Sequence, residues 1–209
     1  MLKRRGDGAY ELLLTAERLF AQDGLEAVST RQIAREAGQK NHSALQYHFG
    51  DKAGLLAAIL DYRLKPINQL RAERLEKLVS RIRPPTLAEL VGVFVQPMCE
   101  QLRKPVTETA YLGMLSQLYA YRKGRELYAQ HGELNRALHG LSQQIIEQLK
   151  PRPLPVIHIR LQFMGRQTIS AVAEWDDLRR SKNEDMSEET LRWRTEQLVT
   201  FITHGLSAA

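Results

Sequence analysis

The chain has 209 residues, 43% of them hydrophobic and 26% charged, with a formal net charge of +6; it is long enough to bury a core and lacks any apolar run near the ~18 residues of a membrane span. Its start, MLKRRGDG, is basic, but Glu11, Glu17 and Arg18 break up the next stretch, so neither a signal peptide nor export is expected and the expected location is cytoplasmic. A single cysteine, Cys99, excludes an internal disulfide and a Cys-based zinc site and fits a reducing compartment.

Apolar positions 9, 12, 13, 16, 19 and 20 follow helical spacing, and Asp23-Gly24 ends this first helix. Leu25 and Val28 then seal a corner. Ser29, three residues ahead of Gln32, is a capping box that starts a second, short helix, with Ile33, Ala34 and Ala37 facing inward and Gly38 as its stop. After the polar run Gln39 to His42, a third segment offers Ala44, Leu45, His48 and Phe49 to a core and leaves Ser43, Gln46 and Tyr47 outward. Gly50 closes it and Asp51 caps the next helix.

A long helical pattern runs from Asp51 towards Leu78, and Pro66 inside it should bend or split the helix. Arg83-Pro84-Pro85 is a break, after which Thr86 caps a helix over Leu87 to Leu102, interrupted at Pro97. Further helices are expected over Val106 to Tyr121 and Glu126 to Leu149. Lys150 to Ile157, with three prolines, reads as a stiff extended connector. Val156 to Arg180 and Glu188 to Leu206 close the chain as helices around a polar loop, Ser181 to Ser187. The fold class is all-α, without repeat or strand.

The helix from Val156 is apolar on two sides: Ile157, Leu161, Met164 and Val172 line one, Ile159, Phe163, Ile169 and Ala173 the other. It therefore needs two partners. With Leu191, Leu198 and Ile202 of the last helix, the first of these faces is the candidate dimer interface.

Catalytic chemistry finds no constellation. The six histidines form no HExxH or ExxH pattern, and GxGxxG, Walker and GxSxG motifs are absent. No enzyme, metal site or cofactor is expected. Tyr62, Phe94, Met98, Tyr111, Met114, Leu115, Tyr119 and Trp175 supply material for an apolar small-molecule pocket; core packing accounts for each of them equally well.

Two short helices around a glycine-containing turn form either an αα-hairpin in a bundle or a helix-turn-helix. Net charge decides little, because residues 1–52 hold eight Lys/Arg against seven Asp/Glu. Placement says more: Lys3, Arg4 and Arg5 make a basic arm, and Lys40 and Lys52 flank the third segment, where phosphates would lie.

Ser29, Ile33-Ala34, Ala37-Gly38, Tyr47-His48-Phe49, Gly50 and Lys52 together resemble the DNA-binding domain of TetR-family transcriptional regulators. The connection Gln39 to Ser43 is one residue longer than the common family pattern, and Gln46 stands where the family often has a tyrosine. The resemblance implies a DNA-binding head over 6–66 and an effector-binding and dimerisation body over 67–209. It also implies homodimers on a palindromic double-stranded DNA operator and a small-molecule effector of unknown identity. Thr30, Tyr47 and Lys52 would meet phosphates, Lys40, Asn41, His42, Ser43 and Gln46 would approach base edges, and Arg31 belongs to the same DNA-binding set. A ligand-released repressor is the leading expectation; the alternatives are a TetR-like activator and a helical small-molecule-binding or protein-interaction module without DNA function.

Overall fold

The computed structural model describes residues 8–39, 41, 43–130, 132–181 and 186–208, the side chains of 123, 129, 130 and 133–137 excepted. The arm residues Lys3, Arg4 and Arg5, together with Lys40 and His42, lie outside the described residues. The described residues form α1 (Gly8–Asp23), α2 (Thr30–Glu36), α3 (Ala44–Phe49), α4 (Lys52–Val79), α5 (Leu87–Cys99), α6 (Tyr111–Ala120), α7 (Arg122–Gln130), α8 (Gly132–Leu149), α9 (Leu154–Ser181) and α10 (Glu188–Ser207). A 3-10 turn, Glu100–Arg103, follows α5, and no strand occurs among the described residues.

Several boundaries differ from the sequence expectation, each for a local reason. α4 stays one 28-residue helix through Pro66; the lost hydrogen bond is outweighed by Leu64 and Ile67, buried on either side of it. α6 starts at Tyr111, not Val106; its N-cap, Ala110, has no side-chain cap, and the Thr109 hydroxyl just before it accepts the Tyr111 N–H at 3.1 Å. The expected helix over Glu126 to Leu149 is divided into α7 and α8. α9 begins at Leu154 with Pro155 in its first turn, where a missing N–H costs nothing, and Val156 and Ile157 donate to the Pro153 carbonyl. The extended connector is thus shorter than Lys150 to Ile157.

The chain divides into two compact units, Met1–Pro66 with Pro105–His131, and Ile67–Lys104 with Gly132–Ala209. In the first, α1 packs on α2, α3 and α6, and α6 on α7. Leu12, Leu13, Ala16, Leu19 and Phe20 of α1 are buried in its core, as are Ile33, Ala34, Leu45, Leu55, Ile59 and Leu60. Glu17 shares the inward side of α1 and is buried too. Its carboxylate accepts from Arg63 Nε at 2.6 Å, from the second Arg63 nitrogen at 2.9 Å and from Ala110 N–H at 2.7 Å. Three separate segments meet on one charge pair, as buried charge requires.

In the second unit α5 packs on α8, α9 and α10, and α9 on α10. Arg71 is fully buried, its guanidinium 4.5 Å from the Phe94 ring and hydrogen-bonded to the Phe94 carbonyl at 3.0 Å. Asp176, also buried, accepts from Arg179 and from Arg180, and Arg179 reaches the Lys104 carbonyl at 2.6 Å.

The residues considered for a dimer face lie mostly inward. Ile157, Met164, Val172, Leu191, Leu198 and Ile202 are buried within the chain's own core, and Leu161 is half-buried. α5, α9 and α10 pack together and consume that face. Of the second face, Ile169 and Ala173 are buried as well, and Ile159 and Phe163 stay exposed, as do Val156 on α9 and Trp193 and Phe201 on α10.

Candidate nucleic-acid interface

The corner formed by α2 and α3 is built from local signals. Ser29 is extended (φ −92°, ψ 154°) and its hydroxyl accepts the Gln32 N–H at 3.1 Å. The reciprocal half of the capping box is not made; the Gln32 amide donates instead to Glu36 at 3.3 Å. Arg18 of α1 also donates to Glu36 at 2.7 Å, which binds α2 to α1 and holds the Glu36 carboxyl below the usual carboxylate range. Gly38 ends α2 at φ +68°, a conformation that a side chain would strain.

The turn is held by its own polar residues. Asn41 Oδ1 accepts the Ser43 N–H at 3.0 Å and also the Ser43 hydroxyl, while the Asn41 carbonyl accepts the Ala44 N–H at 3.1 Å. This Asx-type turn launches α3. Both side chains are exposed, yet their oxygens already serve the turn.

α3 has six residues, and Leu45 is the one it buries completely. Ala44 and Phe49 are half-buried flanks. Gln46 and Tyr47 face outward, Tyr47 at 85% exposure. His48 corrects the sequence reading: it is exposed rather than inward, with its ring 5.0 Å from that of Tyr47 and edge-on at 78°. A helix of this length has one turn's width of inward surface, and Leu45 fills it.

α3 is fixed at its far end as well. Gly50 has φ +76° and donates to the Gln46 carbonyl at 2.9 Å, and Asp51 accepts the Gly54 N–H at 2.8 Å to cap α4. Gly54 is a positioning residue that sequence reasoning missed. A Cβ there would lie 2.0 Å from the Phe49 carbonyl oxygen, so the end of α3 can rest on the first turn of α4 only above a glycine. A glycine inside a helix start was the available signal.

Among the remaining site residues, Arg31 is exposed and Thr30 half-buried at the start of α2. Lys52 turns inward: Nζ donates to the Val28 carbonyl at 2.6 Å and lies 5.7 Å from the Phe20 ring, and burial pushes its pKa down. The residues considered for a small-molecule pocket are divided between the units. Tyr62, Tyr111, Met114, Leu115 and Tyr119 fall in the first; Phe94, Met98 and Trp175 fall in the second. Tyr111, Met114 and Leu115 are core, Tyr62 packs edge-on against Tyr10, and Tyr119 against Tyr128. Among the described residues no group of three His, Cys, Asp or Glu side chains is placed to hold a metal, and no helix is long and apolar enough to cross a membrane.

The geometry has counterparts. Residues 12–59 match the family model for bacterial regulatory proteins, tetR family. No curated protein sequence matches the chain. Among solved structures, a protein described as a tetR family transcription regulator from Shewanella sp. PV-4 is 17% identical and superposes with a TM-score of 0.61, covering 94% of this chain and 96% of the other. Mycobacterium smegmatis AmtR is 20% identical with a TM-score of 0.58, covering 97% and 90%. Salmonella enterica GusR is 16% identical with a TM-score of 0.52, covering 100% and 99%. The matched segment runs from α1 into α4 and contains the whole corner described above. The chain thus carries, over residues 12–59, a segment that matches the tetR family of bacterial regulatory proteins, and has over its length the fold of a solved tetR family transcription regulator.

Proposed function

We propose that this protein is a sequence-specific DNA-binding transcription regulator that acts as a homodimer on a palindromic operator, most simply as a repressor that a small molecule releases. The observation that carries the reading is the outward face of α3. Gln46 and Tyr47 are exposed on a helix that follows the Asn41 turn and whose end and seat are set by Gly50 and Gly54. That is what a reading helix needs, since base contacts require a rigid mount.

The reading divides the roles among these residues. Thr30, Arg31 and Tyr47 take phosphates, and Gln46 presents an amide suited to an adenine edge. Asn41 and Ser43 approach the bases from the turn that they also stabilise. Lys52, expected on phosphate, would first have to leave the Val28 carbonyl, so its substitution weakens the fold of the corner as well as DNA binding. No catalytic step is part of this reading.

Dimerisation is assigned to the exposed side of α9 and α10. Val156, Ile159 and Phe163 recur at spacings of three and four, and Phe163, Trp193 and Phe201 are 51%, 58% and 65% exposed. Large aromatics left in water after the chain has packed its own core mark an interface. A two-fold pair then sets its reading helices about 34–36 Å apart on successive major-groove faces.

The test is repeated gel-shift selection from a random-sequence duplex pool at moderate salt. An inverted repeat with half-sites about one helical turn apart is expected, with Gln46→Ala changing the preferred bases and Tyr47→Ala weakening every sequence alike. A pool that never enriches a two-fold site would overturn the proposal in favour of a helical interaction module.

A further inference from the structure

α4, α5 and the turn between them line an open groove of about 410 Å³ within the second unit, inside the ~300–1,000 Å³ range of small-molecule sites. Its floor is apolar: Leu78 and Val93 are buried side chains, Ala88 adds a methyl, and Gly92 leaves open the space that a side chain would fill. None of the residues that the sequence suggested for an effector pocket lines it.

Its rim is cationic. Arg74 and Lys77 stand three apart on α4, with Leu78 beside them, and Arg81 follows two residues past the end of the helix. Like charges three apart repel along a helix, so this pair works against α4 unless anions answer it. The answer within the chain is incomplete. Arg74 pairs with Glu100 at 2.6 Å, but Arg81 has to share Glu89 with Arg83, and Lys77 has no ion pair among the described residues. Glu89 is further occupied by the Thr86 N–H at 2.9 Å as the capping box of α5. Of the residues that line the cleft, Arg74, Lys77 and Arg81 are cations and Glu89 alone is a carboxylate.

We infer that this groove binds a small organic carboxylate with an apolar body, the body lying on Leu78, Gly92 and Val93 and the carboxylate taken by Lys77 and Arg81. The site deepens the effector part of the proposed function and rests on it only for the consequence, release of DNA; binding itself stands on the groove alone. Gly92 sets the depth. A Cβ there would approach only the flexible end of Gln96, at 3.4 to 4.0 Å, so a larger residue can be accommodated by the helix while its side chain takes the ligand's place.

The experiment is calorimetric titration of the full chain with octanoate, and with octanol and octylamine as neutral and cationic partners of the same tail. Octanoate is expected to bind about tenfold tighter than octanol, with octylamine weakest, because the charge-assisted contact to Lys77 is the difference between them. Gly92→Leu should abolish octanoate binding. Lys77→Glu, at an exposed position that does not threaten folding, should raise the octanoate Kd at least tenfold and leave octanol unchanged. Equal binding of all three probes, no binding of octanoate, or octanoate binding unaffected by Lys77→Glu would overturn the assignment. An operator recovered by selection without octanoate binding sinks the groove alone, and octanoate binding without any operator sinks the regulator reading alone.

Discussion

The α2–α3 corner and the α9–α10 pair both place apolar residues at helical spacing, yet the sequence assigns the faces of one well and of the other poorly. In the corner, Ile33, Ala34 and Leu45 are buried and Gln46 and Tyr47 exposed, as their spacing implies. In the pair, the face chosen for a partner is the one the chain uses for itself. The difference is the number of faces on offer. A helix of six or seven residues has room for one inward side, whereas the 28 residues of α9 carry two apolar sides, and spacing cannot say which neighbour takes which.

Adjacent residues break or sharpen that contrast. Met164→Ala, at a position 6% exposed, and Leu45→Ala, at one 2% exposed, should each cost about 2–5 kcal/mol in denaturant unfolding. Phe163 precedes Met164 and is half exposed, so Phe163→Glu should leave subunit stability within about 0.5 kcal/mol. Its effect should appear in sedimentation, as a dimer dissociation constant raised at least about 30-fold. A dimer indifferent to Phe163→Glu would return the choice of face to the sequence reading.

What was legible was local. Asp23-Gly24, Ser29, Gly38, Gly50, Asp51 and Thr86 act as the start and stop signals they resemble. What was not legible depended on residues distant in the chain. Glu17 and Arg63 each sit on an apolar stripe, which hints at burial, but their meeting with Ala110 is a product of packing. His48 follows the inward spacing and is exposed because Leu45 already fills the space available. The inward turn of Lys52 onto Val28 likewise needs the corner to exist first.

Gly54 sharpens the same contrast by setting a local rule against a tertiary one. Intrinsic propensity favours alanine over glycine in a helix by about 1 kcal/mol, whereas forcing a Cβ against the Phe49 carbonyl, 2.0 Å away, is overpacking of about 1–3 kcal/mol with backbone as the obstacle. The tertiary term wins. Gly54→Ala should lower stability by about 1 kcal/mol in denaturant unfolding and tilt α3 enough to weaken operator binding, while Gly92→Ala, with no backbone near its Cβ, should be neutral or stabilising.

The smallest effect expected lies at Glu89, where a cap written in the sequence is reinforced by arginines that the sequence did not point to. Hydrogen bonding to Arg83, then to the Thr86 backbone, holds the Glu89 carboxyl at about 2 against an ordinary 4.5. A carboxylate whose pKa is depressed by folding adds stability above its unfolded value and loses it as pH falls through the folded one. Glu89→Gln keeps a side chain able to complete the capping box but removes the charge. The melting temperatures of the two proteins should therefore differ by a constant amount above pH 4.5 and converge between pH 4.5 and about 2. Added salt should narrow the gap, because these partners sit near the surface. A gap that persists at pH 2 would mean that cap geometry, not the charge shared with Arg81 and Arg83, supports the start of α5.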